Sequence, residues 1–187
     1  MAVIVNQIPS DTFENLAKGA GMIATEFTPE TPSSFDPANI LCATSGGVKL
    51  SCAPTTKDHA DGIDNAKLGM LEMQEVTQYE VTMSTTCKTV SDATLGIAMG
   101  LTETSGSKMV PKHGMLTLEN VRDLWYIVPQ TDKKVFAACI KNAFSTGGLD
   151  FQSENEGNGS LNLTLRGMYT LSAQDTVPLE CYVITEE

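Results

Sequence analysis

Histidine is scarce in this sequence, and its scarcity argues against the commonest catalytic and metal sites. Only His59 and His113 occur among the 187 residues. The chain also lacks a Gly-x-Ser-x-Gly motif, which places a nucleophilic serine on a sharp turn in many hydrolases. Neither a Ser-His-Asp triad nor a histidine-based metal site fits so small a set of residues. We therefore expect a protein that is not an enzyme and that uses no metal or cofactor.

Basic residues and long apolar runs are also few. The chain has 12 Lys and Arg against 23 Asp and Glu, which gives a net charge of −11. A protein that wraps nucleic acid neutralises phosphates with Lys and Arg, so this class is disfavoured. No apolar run approaches the roughly 20 residues of a membrane-spanning helix, and residues 1–10 lack the basic flank of a secretory signal. We expect no membrane segment and no export by that route.

The cysteines form no Cys-x-x-Cys pair and have no histidines at ligand spacing. We expect them to be small, buried, apolar side chains in a reducing compartment. They are Cys42, Cys52, Cys87, Cys139 and Cys181.

Glycines cluster in the segment KNAFSTGGLDFQSENEGNGSLNLTLRGMYTL, which raises the question of a phosphate-binding loop. Such a loop needs its glycines between a strand and a helix. Here each glycine pair is followed by strand-like sequence, namely 149–152 and 161–171. The glycines therefore predict hairpin turns.

The strongest pattern in the chain is the alternation of apolar and polar residues from Met70 to Lys88. It predicts one strand of about 60 Å, or two strands joined by a bulge. Ordinary strands are about a third as long. Because an unpaired strand edge is a site of association, a strand of this length favours assembly.

Weaker patterns predict the remaining elements of a single domain. Residues 1–38 form an N-terminal arm and loop, with a short helix at 11–18 and an extended, proline-rich stretch at 25–37. Residues 54–68 form a long loop between strands. A short helix at 92–101 is capped by Ser91. Further strands are expected at 48–53, 123–128, 135–143 and 177–184.

The order of these features, from NILCATSGGVKLSC through WYIVPQTDKKVFAACIKNAFSTGGLDF to GNGSLNLTLRGMYTL, resembles the major tail tube proteins of long-tailed bacteriophages. The resemblance runs from about Gly19 to Leu171. It implies a mainly β fold, a β-sandwich or partly open barrel with one short flanking α-helix and long loops. It also implies six-membered rings that stack into a tube, through which double-stranded DNA passes without specific binding. The implied partners are further copies of the chain, tail tip and tail terminator proteins and a tape-measure protein. The implied location is the virion tail, assembled in the host cytoplasm.

The resemblance places one polar strand face in the channel, where acidic side chains and hydroxyls repel phosphates and let DNA slide. The alternative is that this face is the solvent side of a monomeric sandwich. The candidates are Glu72, Gln74, Gln78, Glu80, Thr82, Ser84 and Thr86.

Contacts between rings are assigned by the same resemblance to the arm and to the long loop. The loop carboxylates do not have the alternate spacing of a calcium-binding loop, so a solvated polar loop is expected there. The contact candidates are Phe35, Asp58, His59, Asp61 and Asp64.

Two other functions remain open at this point. A tube protein of a contractile injection machine has the same architecture but carries protein cargo. A monomeric β-sandwich adhesin or carbohydrate-binding module is the other alternative, although one Trp and four Tyr leave few rings for sugar stacking.

Overall fold

A computed structural model describes residues 9, 12, 16–131 and 133–185 of the chain. Within this part the fold is mainly β, as expected, with ten strands and one α-helix. The elements are β1 Met22–Ala24, β2 Thr44–Asp58, β3 Gln74–Cys87, α1 Asp92–Met99, β4 Thr102–Ser105, β5 Lys108–Pro111, β6 Arg122–Pro129, β7 Lys134–Ser145, β8 Asp150–Gln152, β9 Ser160–Gly167 and β10 Leu179–Thr185.

Eight strands form one antiparallel sheet in the order β1-β6-β7-β9-β3-β2, with β10 beside β7 and β8 beside β9. Strand β7 connects two halves of this sheet, one formed with β1, β6 and β10 and the other with β9, β3 and β2. Residues 134–140 of β7 pair with β10, and residues 143–145 pair with β9. Asn142 lies between the two stretches with a positive φ of 49°. The sheet is not closed into a barrel, and its arrangement is sandwich-like, in agreement with the predicted fold class.

The main core joins the two halves of the sheet. Leu124 and Ile140 of the β6–β7 pair belong to the same buried cluster as Met83 and Leu163 of the β3–β9 pair. The opposite face of the β6–β7 pair carries Trp125. The two halves of the sheet therefore share one apolar core, with a second, smaller cluster behind β6 and β7.

The N-terminal arm covers that second cluster. The ring of Phe27 lies 5.4 Å from the ring of Trp125 and 6.0 Å from that of Phe35, measured between centroids. Two short 3-10 turns, Pro32–Ser34 and Pro37–Asn39, flank Phe35 and shape the proline-rich stretch that leads to β2. Phe35, an expected contact between rings, is thus partly buried against its own domain.

Helix α1 begins at Asp92, as predicted, and ends at Met99, two residues before the predicted end. Ser91 Oγ accepts a hydrogen bond from Thr94 N at 3.2 Å, and Thr94 Oγ1 accepts one from Ser91 N at 2.7 Å. The helix ends at Gly100, whose φ is 73° and whose missing Cβ leaves room for the ring of Phe144. Ile97 and Ala98 bury the inner side of the helix in the main core.

The prediction of a loop at 54–68 is wrong for the first five residues, because β2 continues through Pro54 to Asp58. Proline normally disrupts a sheet because it has no N–H to donate. Pro54 stands opposite Tyr79, whose own N and O both bond the Tyr169 hydroxyl on the side away from β2. No hydrogen bond is therefore exchanged between Pro54 and Tyr79, and the proline costs the ladder nothing.

The predicted helix at 11–18 falls largely outside the described residues, and its last three residues are not helical. Ala17 forms a β-bridge with Gln130, and Lys18 N donates to Pro129 O at 2.8 Å. These bridges attach the arm to the end of β6.

The cysteine prediction is also wrong in part. Cys42, which precedes β2, forms a disulfide with Cys87 at the end of β3. Cys52 and Cys181 are exposed, and only Cys139 is a buried free thiol. The two bonded residues are 45 positions apart, and it is the antiparallel pairing of β2 with β3 that brings them together.

Candidate functional site: two assembly surfaces

Strands β2 and β3 extend beyond the core as a two-stranded ribbon. Strand β9 pairs with β3 only from Thr82 to Cys87, whereas β2 pairs with it from Cys87 down to Gln74. Residues 53–58 and 74–80, called the ribbon here, consequently pair only with each other and are mostly exposed on both faces. Six residues of strand span about 20 Å. In the described part of the chain, the outer edge of β2 has no partner strand along its 15 residues.

A bulge in the ribbon changes which side chains share a face. Thr55 pairs with Gln78 but Thr56 pairs with Val76, so Thr77 is the extra residue. Side chains directly opposite one another point to the same face of a sheet. Glu75, opposite Lys57, therefore joins the face of Gln78.

Five of the seven expected channel residues lie together on this face, and two do not. Gln74 pairs with Asp58 on the opposite face, and Glu72 lies in a 3-10 turn that precedes β3. The five residues, with Glu75 and their partners on β2 and β9, are called the polar face. The five are Gln78, Glu80, Thr82, Ser84 and Thr86.

The polar face is not acidic, contrary to the sequence-based expectation. Strand β2 contributes Lys49 opposite Ser84 and Lys57 opposite Glu75. Strand β9 contributes Arg166, whose Nε lies 3.7 Å from Glu80 Oε1. Along β2, β3 and β9 the face thus carries three cationic and two anionic side chains among hydroxyls and amides. The pattern of β3 alone could not predict this balance, because the cations come from the neighbouring strands.

The ribbon ends in an ordered loop, residues 59–73, called the tip loop. Asp58 closes it, since its carboxylate accepts hydrogen bonds from Ala60 N at 2.9 Å and Gly69 N at 2.8 Å. These two bonds, with Gly69 the larger contributor, lower the pKa of the Asp58 carboxyl below its ordinary value. His59 Nε2 lies 2.6 Å from Glu75 Oε2. Asp58 and His59, expected as contact residues, therefore shape the loop from within.

The outward surface of the tip loop combines acidic and apolar side chains. Asp61 and Asp64 are exposed, as a contact role requires. Leu68 is 70% exposed and Leu71 is 82% exposed, and Ile63 and Met70 of the same loop are exposed as well. Single exposed apolar residues are common on proteins, but four on one projecting loop are typical of an interaction surface. Sequence analysis missed these residues because a loop has no periodicity that reveals them.

A second exposed apolar surface lies at the base of the ribbon and is called the apolar groove. It runs between residues 115–121, which precede β6, and residues 168–172, which follow β9, and its cavity volume is about 500 Å³. The Tyr169 hydroxyl accepts a bond from Tyr79 N at 2.9 Å and donates to Tyr79 O at 3.0 Å, which fixes the groove against β3. The side chains that define it are Leu116, Leu118, Val121, Met168, Tyr169 and Leu171.

Ionisable clusters elsewhere have structural explanations. Lys141 Nζ lies 3.2 Å from Asp123 Oδ2 and 3.3 Å from Glu180 Oε2, which ties β7 to its neighbours β6 and β10. Burial raises the pKa of the adjacent Cys139 thiol to about 11, so it is a neutral, poorly nucleophilic group at physiological pH. Within the described ranges no three His, Cys, Asp or Glu residues are placed to hold a metal, and no helix is long and apolar enough to cross a membrane.

No family model and no curated protein matches the chain. A chain in the structure of the virion of a native gene transfer agent particle is 11% identical, with a TM-score of 0.43, and the match covers 81% of this chain and 92% of that one. A chain in the tail of an empty gene transfer agent particle, computed with helical refinement and C6 symmetry, is 11% identical with a TM-score of 0.44, covering 82% and 95%. At this identity and TM-score the likeness establishes neither a family nor a function.

Proposed function

We propose that this chain is a structural subunit of a phage-type tail tube, which polymerises as stacked rings around a channel for DNA. The observation that carries the proposal is the ribbon, a pair of long strands that leaves its own core and presents an unpaired edge. Six subunits per ring follow from the sequence resemblance. So do the tail tip, tail terminator and tape-measure partners, the location in the virion tail and assembly in the host cytoplasm.

The sheet edges support lateral association. The outer edge of β2 is free in the described part of the chain, and β10 pairs on one side only, with β7. A long, exposed strand edge pairs readily with another chain. Joining β2 of one copy to β10 of the next continues the sheet, and closure into a ring leaves neither of these two edges free. A ring therefore satisfies the backbone that the monomer leaves open.

The charges of the polar face support a nearly neutral channel lining in place of the acidic lining that the sequence predicts. A surface that neutralises few phosphates releases few counterions and binds DNA weakly. On this face Lys57 stands opposite Glu75 and Arg166 lies near Glu80, so two of the three cations have anionic neighbours, while Lys49 stands opposite Ser84. Hydroxyls and amides fill the intervening positions. We propose that DNA slides past a nearly neutral, hydrated lining rather than an acidic one.

The first test is microscopy of the purified protein at rising concentration, with light scattering on the same samples. Rings or hollow tubes are expected. A compact monomer at every concentration contradicts the proposal.

A proline at position 52 tests the role of the β2 edge. Backbone groups alternate in direction along a strand, so Cys52, like Pro54, directs its N–H away from β3 toward the free edge. Cys52→Pro removes an outward donor and leaves the β2–β3 ladder intact. We expect the variant to keep the circular dichroism of the wild type but to lose ring formation, while Cys52→Ala assembles normally. Equal assembly of both variants excludes this edge from the interface.

A further inference from the structure

We propose that Cys52 and Cys181 of one chain form a second, reversible disulfide, which fixes the base of the ribbon to β10 in an oxidising medium. In the described structure both residues are exposed free thiols. The Cys42–Cys87 bond joins two neighbouring strands of one half of the sheet, whereas this bond joins the two halves. The inference concerns the folded subunit and stands whether or not the subunit polymerises into a tube.

The register of the sheet turns both thiols toward the space between its two halves. Leu50 on β2 and Leu179 on β10 both pack against the main core. Residues two apart on a strand face the same side, so Cys52 and Cys181, each two positions further on, face this same interior. Cys52 also stands opposite Val81, which is fully buried in the main core. Because both cysteines are exposed, they lie at the rim where the core ends.

The electrostatics of the rim agree with this placement. Partial burial, first, and the negative charge of the Cys52 thiolate, second, raise the pKa of the Cys181 thiol. The field of a charge near the surface is largely screened beyond about 8–10 Å at physiological salt. The influence of Cys52 on Cys181 is therefore that of a near neighbour.

The β2–β3 pair has the freedom to close this bond. Packed sheets lie about 10 Å apart and the Cα atoms of a disulfide about 6 Å, so the bond draws the rim together by up to roughly 4 Å. Strand β9 pairs with β3 only as far as Thr82, so no ladder to β9 holds the β2–β3 pair at Cys52. The pair can bend there without breaking a β3–β9 hydrogen bond. Formation of the disulfide therefore sets the angle at which the ribbon leaves the core.

The oxidant is a low-molecular-weight disulfide, written RSSR. The Cys52 thiolate attacks one sulfur of RSSR, forms a mixed disulfide and releases RS⁻. The Cys181 thiol follows, because its raised pKa lowers its thiolate fraction. It loses its proton to water, and its thiolate attacks the Cys52 sulfur and releases the second RS⁻. Two protein thiols and RSSR thus become one protein disulfide and two RSH.

Oxidation of the full chain by oxidised glutathione tests the pairing. The protein is treated at low concentration, its remaining thiols are alkylated, and it is examined by non-reducing electrophoresis and by mass spectrometry of tryptic peptides without reduction. Trypsin separates the two cysteines into peptides 50–57 and 167–187. The matched control is the double variant Cys52→Ser with Ser51→Cys. It keeps the composition and moves the thiol by one position, to the opposite face of β2.

We expect the two peptides to be linked in a band that runs as a single chain, and the free thiol count to fall from three to one. The link is expected to form at least about tenfold faster than in the control, because only the native thiols face each other. Amides of the ribbon are expected to gain protection against hydrogen exchange on oxidation.

Glutathione adducts without a link, or a link between two chains, overturn the inference. So does a link that forms as fast in the control, or one that leaves the protection of the ribbon unchanged. These outcomes leave the tube standing, because rings and tubes are scored separately by microscopy. An intrachain link in a protein that stays monomeric supports the inference and contradicts the tube.

Discussion

At the scale of single residues, a few polar groups position the assembly surfaces. Asp58 accepts hydrogen bonds from two backbone N–H groups of the tip loop, those of Ala60 near its start and Gly69 in its second half. Just beyond the end of β9, the Tyr169 hydroxyl bonds the backbone N and O of Tyr79, which have no partner strand on that side. Both act on backbone groups that the sheet itself leaves without partners at the start of the ribbon and at its tip. The hydrogen bonds of Asp58 therefore hold the tip loop in one conformation, and those of Tyr169 do the same for the apolar groove.

Asp58→Asn tests the closure of the tip loop. The two N–H groups bond different carboxylate oxygens, and an amide keeps only one oxygen while its NH₂ faces the other donor. We expect the protection of the Ala60 and Gly69 amides against hydrogen exchange to fall at neutral pH, without global unfolding. Asp61→Asn makes the same charge change without these bonds and is expected to have no effect. Unchanged protection in Asp58→Asn removes this carboxylate from the closure of the loop.

The same carboxylate predicts a pH dependence. Its pKa is lowered in the folded protein from an ordinary value of 3.8, because the ionised form accepts the two hydrogen bonds. The stabilisation is therefore fully present above that value and is lost as the pH falls through the lowered pKa of the folded state. Protection factors for Gly69 in the wild type are expected to approach those of Asp58→Asn in this acidic range. Convergence at a pH above 3.8 contradicts the assignment to Asp58.

At the scale of elements, the helix and the hairpin could be predicted from sequence, because their signals are local. Ser91 and Thr94 cap α1, and the apolar residues of β6 and β7 flank a short turn. The length of β2 could not be predicted, because Pro54 is tolerated only through its non-bonded pairing with Tyr79. A bulge is one of the two predicted forms of this segment, but its position at Thr77 cannot be found in an alternating pattern. That position moves Gln74 off the polar face and brings Glu75 onto it.

The disulfide is the element-scale feature with the clearest stability consequence. The Cys42–Cys87 bond closes the β2–β3 pair at the end opposite the tip loop. A disulfide that closes a loop of this size stabilises a domain by about 2–4 kcal/mol, which corresponds to roughly 5–15 °C in Tm for a chain of this length.

Addition of dithiothreitol is expected to lower the Tm of the protein by that amount. The Cys52→Ser, Cys181→Ser double variant serves as the control and is expected to show the same difference, since neither thiol belongs to the bond. The free thiol count rises by two on reduction. A Tm that is independent of the reductant contradicts a stabilising role for the bond.

At the scale of the whole molecule, one antiparallel pair carries most of the proposed function. Its inner half belongs to the core, its outer edge is free for a neighbouring sheet, and its far end carries the tip loop. Alternation predicts individual strands, and the resemblance to tail tube proteins implies the mainly β fold. The charge of the polar face was not, because it is a sum over β2, β3 and β9, and register determines which charges meet.

That sum gives a prediction for DNA passage. Gln78→Lys with Glu80→Lys adds three positive charges to each subunit on the polar face, where both side chains are exposed. In an assembled tube these charges repeat around the lining, so DNA phosphates are neutralised and counterions are released. We expect tubes of this variant to retain double-stranded DNA in co-sedimentation, with retention that falls steeply as salt is raised. Wild-type tubes are expected to retain little, and so are tubes of the matched control Glu103→Lys with Ser105→Lys, whose equal charge lies on β4, outside the main sheet. If both variants retain DNA alike, net charge and not the polar face governs the interaction, and this face does not line the channel.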